Sequence, residues 1–236
     1  MCTVSFVPVP NKVIITSNRD EKSVRPAATP PQQIQTKNGA VYYPVDTKAG
    51  GTWFIVNDKG DAGVLLNGAF TKHLPQAQYA CSRGSILPAL FDNNDPIEAV
   101  KTFDFAEIEN CTLVLYCNSL LYECVWDGRE LFLTKLDASL PYIWSSVTLY
   151  NTAMIADRKQ WFNTFIASNP TPSQQDLIHF HTNTGKGNDI YGLKMNRDNA
   201  MLTVSITSVA LSEGTSLLKY TDCLLETQTI HNIDNS

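Results

Sequence analysis

Two short β-rich runs open the chain, Thr3-Val4-Ser5-Phe6-Val7-Pro8 and Lys12-Val13-Ile14-Ile15-Thr16-Ser17, with the turn residues Pro10-Asn11 between them. Runs of this length bounded by turn chemistry predict a β-hairpin. The second run ends on the polar Asn18-Arg19-Asp20-Glu21. Hairpin strands are antiparallel, so the end of the second returns beside the start of the first. Arg19 and Asp20 are therefore expected close to Cys2.

The same punctuation recurs along the chain. Residues 22–50 carry Pro26, Pro30, Pro31 and Pro44 on a polar background, which predicts an irregular excursion over the surface. A second hairpin is expected from 51–57 and 62–67, joined through Asp58-Lys59-Gly60-Asp61. Asp95-Pro96-Ile97-Glu98 reads as an N-cap and first-turn proline opening a helix to about residue 102, and 82–91 is another helix candidate. Strands are expected at 112–116, 120–126 and 130–135, with Asp127-Gly128 turning between the last two. Residues 157–167 space Trp161, Phe162 and Phe165 as a helix does, and Thr171-Pro172 opens a further helix to about residue 180. Residues 201–209 and 216–220 alternate like a last hairpin, and the final dozen residues read as frayed. The expectation is one domain over 1–236, built as strands, then a helical layer, then strands.

Composition narrows the partners. Of 236 residues 43% are hydrophobic and 17% charged, with a net charge of -5. A negative surface disfavours nonspecific binding to nucleic acid or to an anionic membrane. No apolar run approaches the ~20 residues that span a bilayer, and no basic region followed by a long apolar core marks a signal peptide. The reading is a cytoplasmic protein, its expected partner a small-molecule substrate or ligand rather than nucleic acid. Its six cysteines contain no CxxC pair, so reduced thiols are expected rather than disulfides or structural zinc. No metal and no cofactor is expected.

With Met1 removed, Cys2 would carry a thiol and a free α-amino group on one residue, nucleophile and base together. Position alone favours a plainer role, a small buried residue beginning a strand. Arg19 and Asp20 change the balance. A guanidinium near a thiol favours the thiolate, and a carboxylate near an α-ammonium fixes its orientation.

These residues carry a resemblance. Met1-Cys2-Thr3, Asn18-Arg19-Asp20-Glu21, Arg25-Pro26, Ala49-Gly50-Gly51-Thr52-Trp53 and Leu66-Asn67 resemble the NRDE family, which includes the Transport and Golgi organization protein homologues. The match is dense over 1–70. Beyond it, Leu149-Tyr150-Asn151 is similar to the family's Leu-Ser-Asn element, and Asp157-Arg158-Lys159 to a degraded form of the segment that follows. Tyr191-Gly192-Leu193-Lys194 departs twice from the family's Tyr-Gly-Thr-Arg element, while Met195-Asn196-Arg197 offers Arg197 as a second active-site cation. The family resembles the N-terminal-nucleophile hydrolases, which implies an α+β chain folded as an αββα four-layer sandwich.

The resemblance also implies roles: Cys2 attacking an amide carbonyl, its amine moving the proton, Arg19 favouring the thiolate and Asp20 orienting the amine. Asn67 and Asn151 are the candidates to donate to the oxyanion, since side-chain amides serve there as backbone N–H groups do. Their plainer reading is turn chemistry at a strand end. Gly50-Gly51 reads as a tight turn that sends Trp53 into the core. The alternative to a C–N hydrolase is a non-catalytic binding or trafficking protein for haem or an acyl-CoA-like ligand on the same fold. His179-Phe180-His181 lacks a third metal ligand and reads as a surface group. Gly185-Lys186-Gly187 lacks phosphate-loop spacing.

Overall fold

A computed structural model describes residues 3–76 and 78–235. In chain order its strands are β1 (Thr3–Val9), β2 (Lys12–Lys22), β3 (Thr29–Thr36), β4 (Gly39–Val45), β5 (Phe54–Asn57), β6 (Ala62–Asn67), β7 (Cys111–Cys117), β8 (Leu120–Trp126), β9 (Leu131–Leu136), β10 (Tyr142–Ser145), β11 (Asn196–Arg197), β12 (Met201–Ser212), β13 (Thr215–Asp222) and β14 (Thr227–Asp234). Its α-helices are α1 (Ile86–Phe91), α2 (Pro96–Thr102), α3 (Thr152–Ser168) and α4 (Gln174–Asn183). The chain divides into two compact units, one from Met1–Arg25 with Ser139–Asp234 and one from Pro26–Ala138 with Asn235–Ser236.

The first unit holds a seven-stranded sheet ordered β10-β1-β2-β12-β13-β14, with β11 also paired to β12. Val9 pairs with Lys12, so the β1–β2 loop is the two residues Pro10-Asn11. Proline presets φ at the first position and Asn11 takes φ 63° at the second, a left-handed conformation that asparagine tolerates. The long β2 runs to Lys22 and is central, pairing β1 on one side and β12 on the other. Its register slips between Thr203 and Ser205, so Asp20 pairs with Thr203 and Arg19 with Ser205.

Directly opposed residues share a sheet face, and successive residues alternate faces. Val7, Ile14 and Ala210 therefore lie on one face, where they pack with Phe162 of α3, Leu177 and Phe180 of α4, and Leu193. That apolar cluster fixes both helices. Asn151 caps α3 by accepting from the Met154 N–H, and Ser173 with Asp176 forms a capping box on α4.

The second unit is a seven-stranded antiparallel meander, β3 to β9 in sequence order. One of its faces packs Leu65, Leu113 and Leu115 against Leu87, Leu90 and Phe91 of α1 and against Ile97 and Val100 of α2. The cap of α2 is as the sequence predicts, with Asp95 accepting from the Ile97 and Glu98 N–H groups and Pro96 first in the helix. Trp53 enters the core at 4% exposure. Gly50 makes the turn at φ +71°, whereas Gly51 serves close approach: its Cα faces the Gly84 backbone, and Thr52 N–H donates to Gly84 O at 2.9 Å.

Three expectations are corrected, and one strand was not foreseen. Residues 22–50 are not an irregular excursion, because β3 and β4 occupy most of that span. The prolines fit an edge: Pro30 and Pro31 sit in the irregular stretch between Thr29 and Gln32 of the terminal strand, and Pro44 lies past the short β4–β5 ladder. The final residues form β14, paired with β13 from Thr215–Asp234 to Asp222–Thr227, rather than fraying. An unforeseen edge strand, β10, pairs with Thr3 to Phe6. Helix α3 starts five residues earlier than its aromatic spacing suggests, because Asn151 caps it.

Candidate active site

Cys2 lies outside the described residues. Thr3, the next residue, pairs with Asn18, which precedes Arg19. The β2 backbone then sends Arg19 and Asp20 to opposite faces of the sheet. Arg19 is 5% exposed and lies 3.6 Å from Glu21, whose carboxylate also sits 3.4 Å from Arg25. Asp20 is 4% exposed. One of its oxygens accepts from the Tyr150 hydroxyl at 2.6 Å and the other from the Thr203 hydroxyl at 2.6 Å. Thr203 Oγ1 in turn accepts from the Met195 N–H at 3.0 Å, so the carboxylate is tied to β12 and to the segment before it.

Tyr150 is buried between β10 and α3, its N–H donating to Ser146 O. The guanidinium carbon of Arg158 lies 3.5 Å from the Tyr150 ring centroid and that of Arg197 lies 5.4 Å from it. Arg158 is fully buried. It donates to Thr3 Oγ1 at 2.6 Å, to Tyr191 O at 3.0 Å and to Gly192 O at 2.9 Å. These acceptors are all neutral, which spreads a buried positive charge over three dipoles. Gly192 permits the approach, since a β-carbon there would stand 2.7 Å from the carbonyl oxygens of Asn188 and Gly185.

The remaining sequence candidates fall in several places. Arg197 begins the turn into β12, donating to Ile190 O at 2.7 Å and Leu149 O at 3.1 Å. It thus shares the Tyr150 ring with Arg158. Asn151 is exposed, and its Oδ1 holds the first turn of α3. Asn67 ends β6 in the second unit, paired with Cys111.

His181 is the residue that sequence reasoning misplaced. It is buried rather than at the surface, with Nδ1 2.6 Å from Asn18 Oδ1 and Nε2 2.7 Å from the Ser5 hydroxyl. Asn18 donates its amide hydrogens to His181 O and Leu193 O, so its Oδ1 must accept. The neutral ring therefore carries its proton on Nδ1, and Ser5 donates to Nε2. Burial, reinforced by the charge of Arg158, lowers the His181 pKa to about 3. A signal existed: Gln174, Leu177, Ile178 and His181 recur at helical spacing on the buried side of α4.

Among the described residues no group of three or more His, Cys, Asp or Glu side chains could hold a metal ion. Cys111, Cys117 and Cys124 are buried free thiols in β7 and β8. Burial pushes Cys111 up to about 12 and raises the other two, which makes them packing residues rather than nucleophiles. Among the described residues no helix is long and apolar enough to cross a membrane.

A family model described as Transport and Golgi organisation 2 matches residues 1–115. The match covers the NRDE tetrad and the Gly-Gly-Thr-Trp element on which the sequence resemblance rests. No curated protein sequence matches the chain. Among solved structures, the chain is similar to a conjugated bile acid hydrolase from Clostridium perfringens, crystallised as a mutant with alanine for its second-position cysteine. That likeness has a TM-score of 0.62 at 11% identity and covers 99% of this chain and 92% of the other. A Caenorhabditis elegans orthologue of N-acylethanolamine-hydrolyzing acid amidase gives a TM-score of 0.61 at 10% identity, over 88% of this chain and 92% of the other. The fold class is thus α+β, the αββα sandwich of N-terminal-nucleophile hydrolases. In this chain that fold carries an NRDE-type opening.

Proposed function

We propose that the protein hydrolyses a carbon–nitrogen amide bond with Cys2 as its nucleophile, once Met1 has been removed. The carrying observation is the buried Asp20, held by two hydroxyl donors on the strand whose Asn18 pairs with Thr3, the residue covalently next to Cys2. An anionic carboxylate there suits an α-ammonium group, and Arg19 on the same strand suits a thiolate. The two similar structures, named as hydrolases of a conjugated bile acid and of an N-acylethanolamine, support an N-acyl amide as the substrate class.

In this mechanism the α-amino group takes the thiol proton as sulfur attacks the carbonyl carbon. The tetrahedral intermediate then collapses, the C–N bond breaks, and the same proton passes to the leaving amine. Water attacks the resulting thioester, returning the thiol and releasing a carboxylic acid. Asn151 donates to the oxyanion through Nδ2, because its Oδ1 is already committed to the Met154 N–H. Arg197, stacked by Tyr150, supplies the second cation. A thiol nucleophile in a chain whose five described cysteines are all free suits a reducing, cytoplasmic setting.

The test is turnover of a panel of N-acyl amides by wild type, Cys2→Ala and Cys2→Ser with verified N-termini. Wild type should release amine from at least one acyl class, and Cys2→Ala should lose that activity. Equal turnover by both would overturn the proposal.

A further inference from the structure

We infer that Tyr150, backed by Arg158, is a positioning residue for the Cys2 amine, acting through Asp20. The inference rests on the nucleophile reading above and adds a residue that the chemistry itself does not require. A phenol that only fills space has no need of a carboxylate partner. Tyr150 instead donates to a buried Asp20 oxygen at 2.6 Å. With Thr203 on the other oxygen, the carboxylate is gripped at both atoms, and its plane is set from β12 and from the α3 entrance together. An ionised carboxylate accepts such bonds strongly, and they fix its direction.

Arg158 makes this grip specific to the start of the chain. Its guanidinium lies over the Tyr150 ring at 3.5 Å, and the same group donates to Thr3 Oγ1 at 2.6 Å. One buried side chain therefore holds the ring that orients Asp20 and the residue that follows Cys2. Arg197 closes on the ring at 5.4 Å while bonding Leu149 O, next to Tyr150 in sequence. The phenol has little freedom to leave Asp20. Held this way, the carboxylate keeps the α-ammonium beside the sulfur, where its positive charge favours the thiolate.

The experiment uses the full chain and needs no substrate. Iodoacetamide alkylation of Cys2 is followed by mass spectrometry of the N-terminal peptide, from pH 5 to pH 9, with glutathione as reference. Tyr150→Phe removes the hydroxyl but keeps the ring against Arg158. Thermal melts establish folding, and Thr203→Val, which removes the other donor to Asp20, gives a second reading should Tyr150→Phe fail to fold. We expect the Cys2 rate at pH 7 to fall about tenfold in Tyr150→Phe, the equivalent of about one charge-assisted hydrogen bond, with the pH–rate profile displaced to higher pH. A folded Tyr150→Phe with the wild-type rate and profile would overturn the inference alone. A wild type that retains Met1, or whose Cys2 reacts no faster than glutathione, would overturn the nucleophile reading and this inference with it.

Discussion

Acidification from pH 7.5 to pH 5 should destabilise the protein by about 2 kcal/mol through His181 alone. The ring is buried with a pKa lowered from 6.5 to about 3. In the unfolded chain it titrates near the ordinary histidine value of ~6.5. Because the folded pKa is depressed, the unfolded state binds the proton first. Stability is full above about pH 6.5 and is lost progressively as pH falls toward 3. At pH 5 the unfolded histidine is about 1.5 units below its pKa, and ~1.4 kcal/mol per unit gives the ~2 kcal/mol loss. The folded ring stays neutral at that pH.

Urea unfolding of wild type and His181→Asn at both pH values isolates the effect, because the remaining carboxylates and histidines are common to both. An asparagine amide can still donate to Asn18 Oδ1 but cannot titrate. The variant should be the less stable protein at pH 7.5, since the Ser5 hydroxyl loses its acceptor, and the gap should narrow by about 2 kcal/mol at pH 5. A gap that stays the same at the two pH values would mean that His181 takes up its proton in the folded state, contrary to this prediction.

Arg158→Met should cost at least about 3 kcal/mol in urea unfolding, since Thr3 Oγ1, Tyr191 O and Gly192 O lose a buried donor together. Arg158→Lys should recover only part of it, because an ammonium cannot reproduce the planar fork. In the second unit, Gly51→Ala should destabilise by about 2 kcal/mol or more by driving a methyl into the Gly84 backbone. Gly50→Ala, at φ +71° with open space around it, should cost about 1–2 kcal/mol from backbone strain alone. Thermal melts of the pair separate close approach from turn geometry.

The elements read well wherever side-chain pattern and turn chemistry agreed. The β1–β2 hairpin declared itself through Pro10-Asn11, and α2 through Asp95-Pro96. The edge strands β3 and β14 did not, whereas the edge strand β9 did. In β3 the prolines argue against a ladder, and in β14 most side chains face solvent, so both depend on pairing with a distant or neighbouring backbone that local composition does not report. At the site, the tetrad 18–21 was legible because its residues are adjacent on one strand. The Tyr150–Asp20 bond spans 130 positions and the Arg158–Thr3 bond spans 155, so both came only with the fold. Asn18 looked like one member of a polar strand end, yet it is the acceptor that fixes the tautomer of His181.

The proposed chemistry requires a processed N-terminal cysteine that attacks acyl carbon. Intact-mass analysis of the native protein after brief exposure to an N-acyl amide, quenched in acid, tests it most directly. The expected result is a chain lacking Met1, with an acyl group added and mapped to the Cys2 peptide, and no such adduct in Cys2→Ala. A chain that keeps Met1, or an acyl group found at the same level in Cys2→Ala, would contradict it.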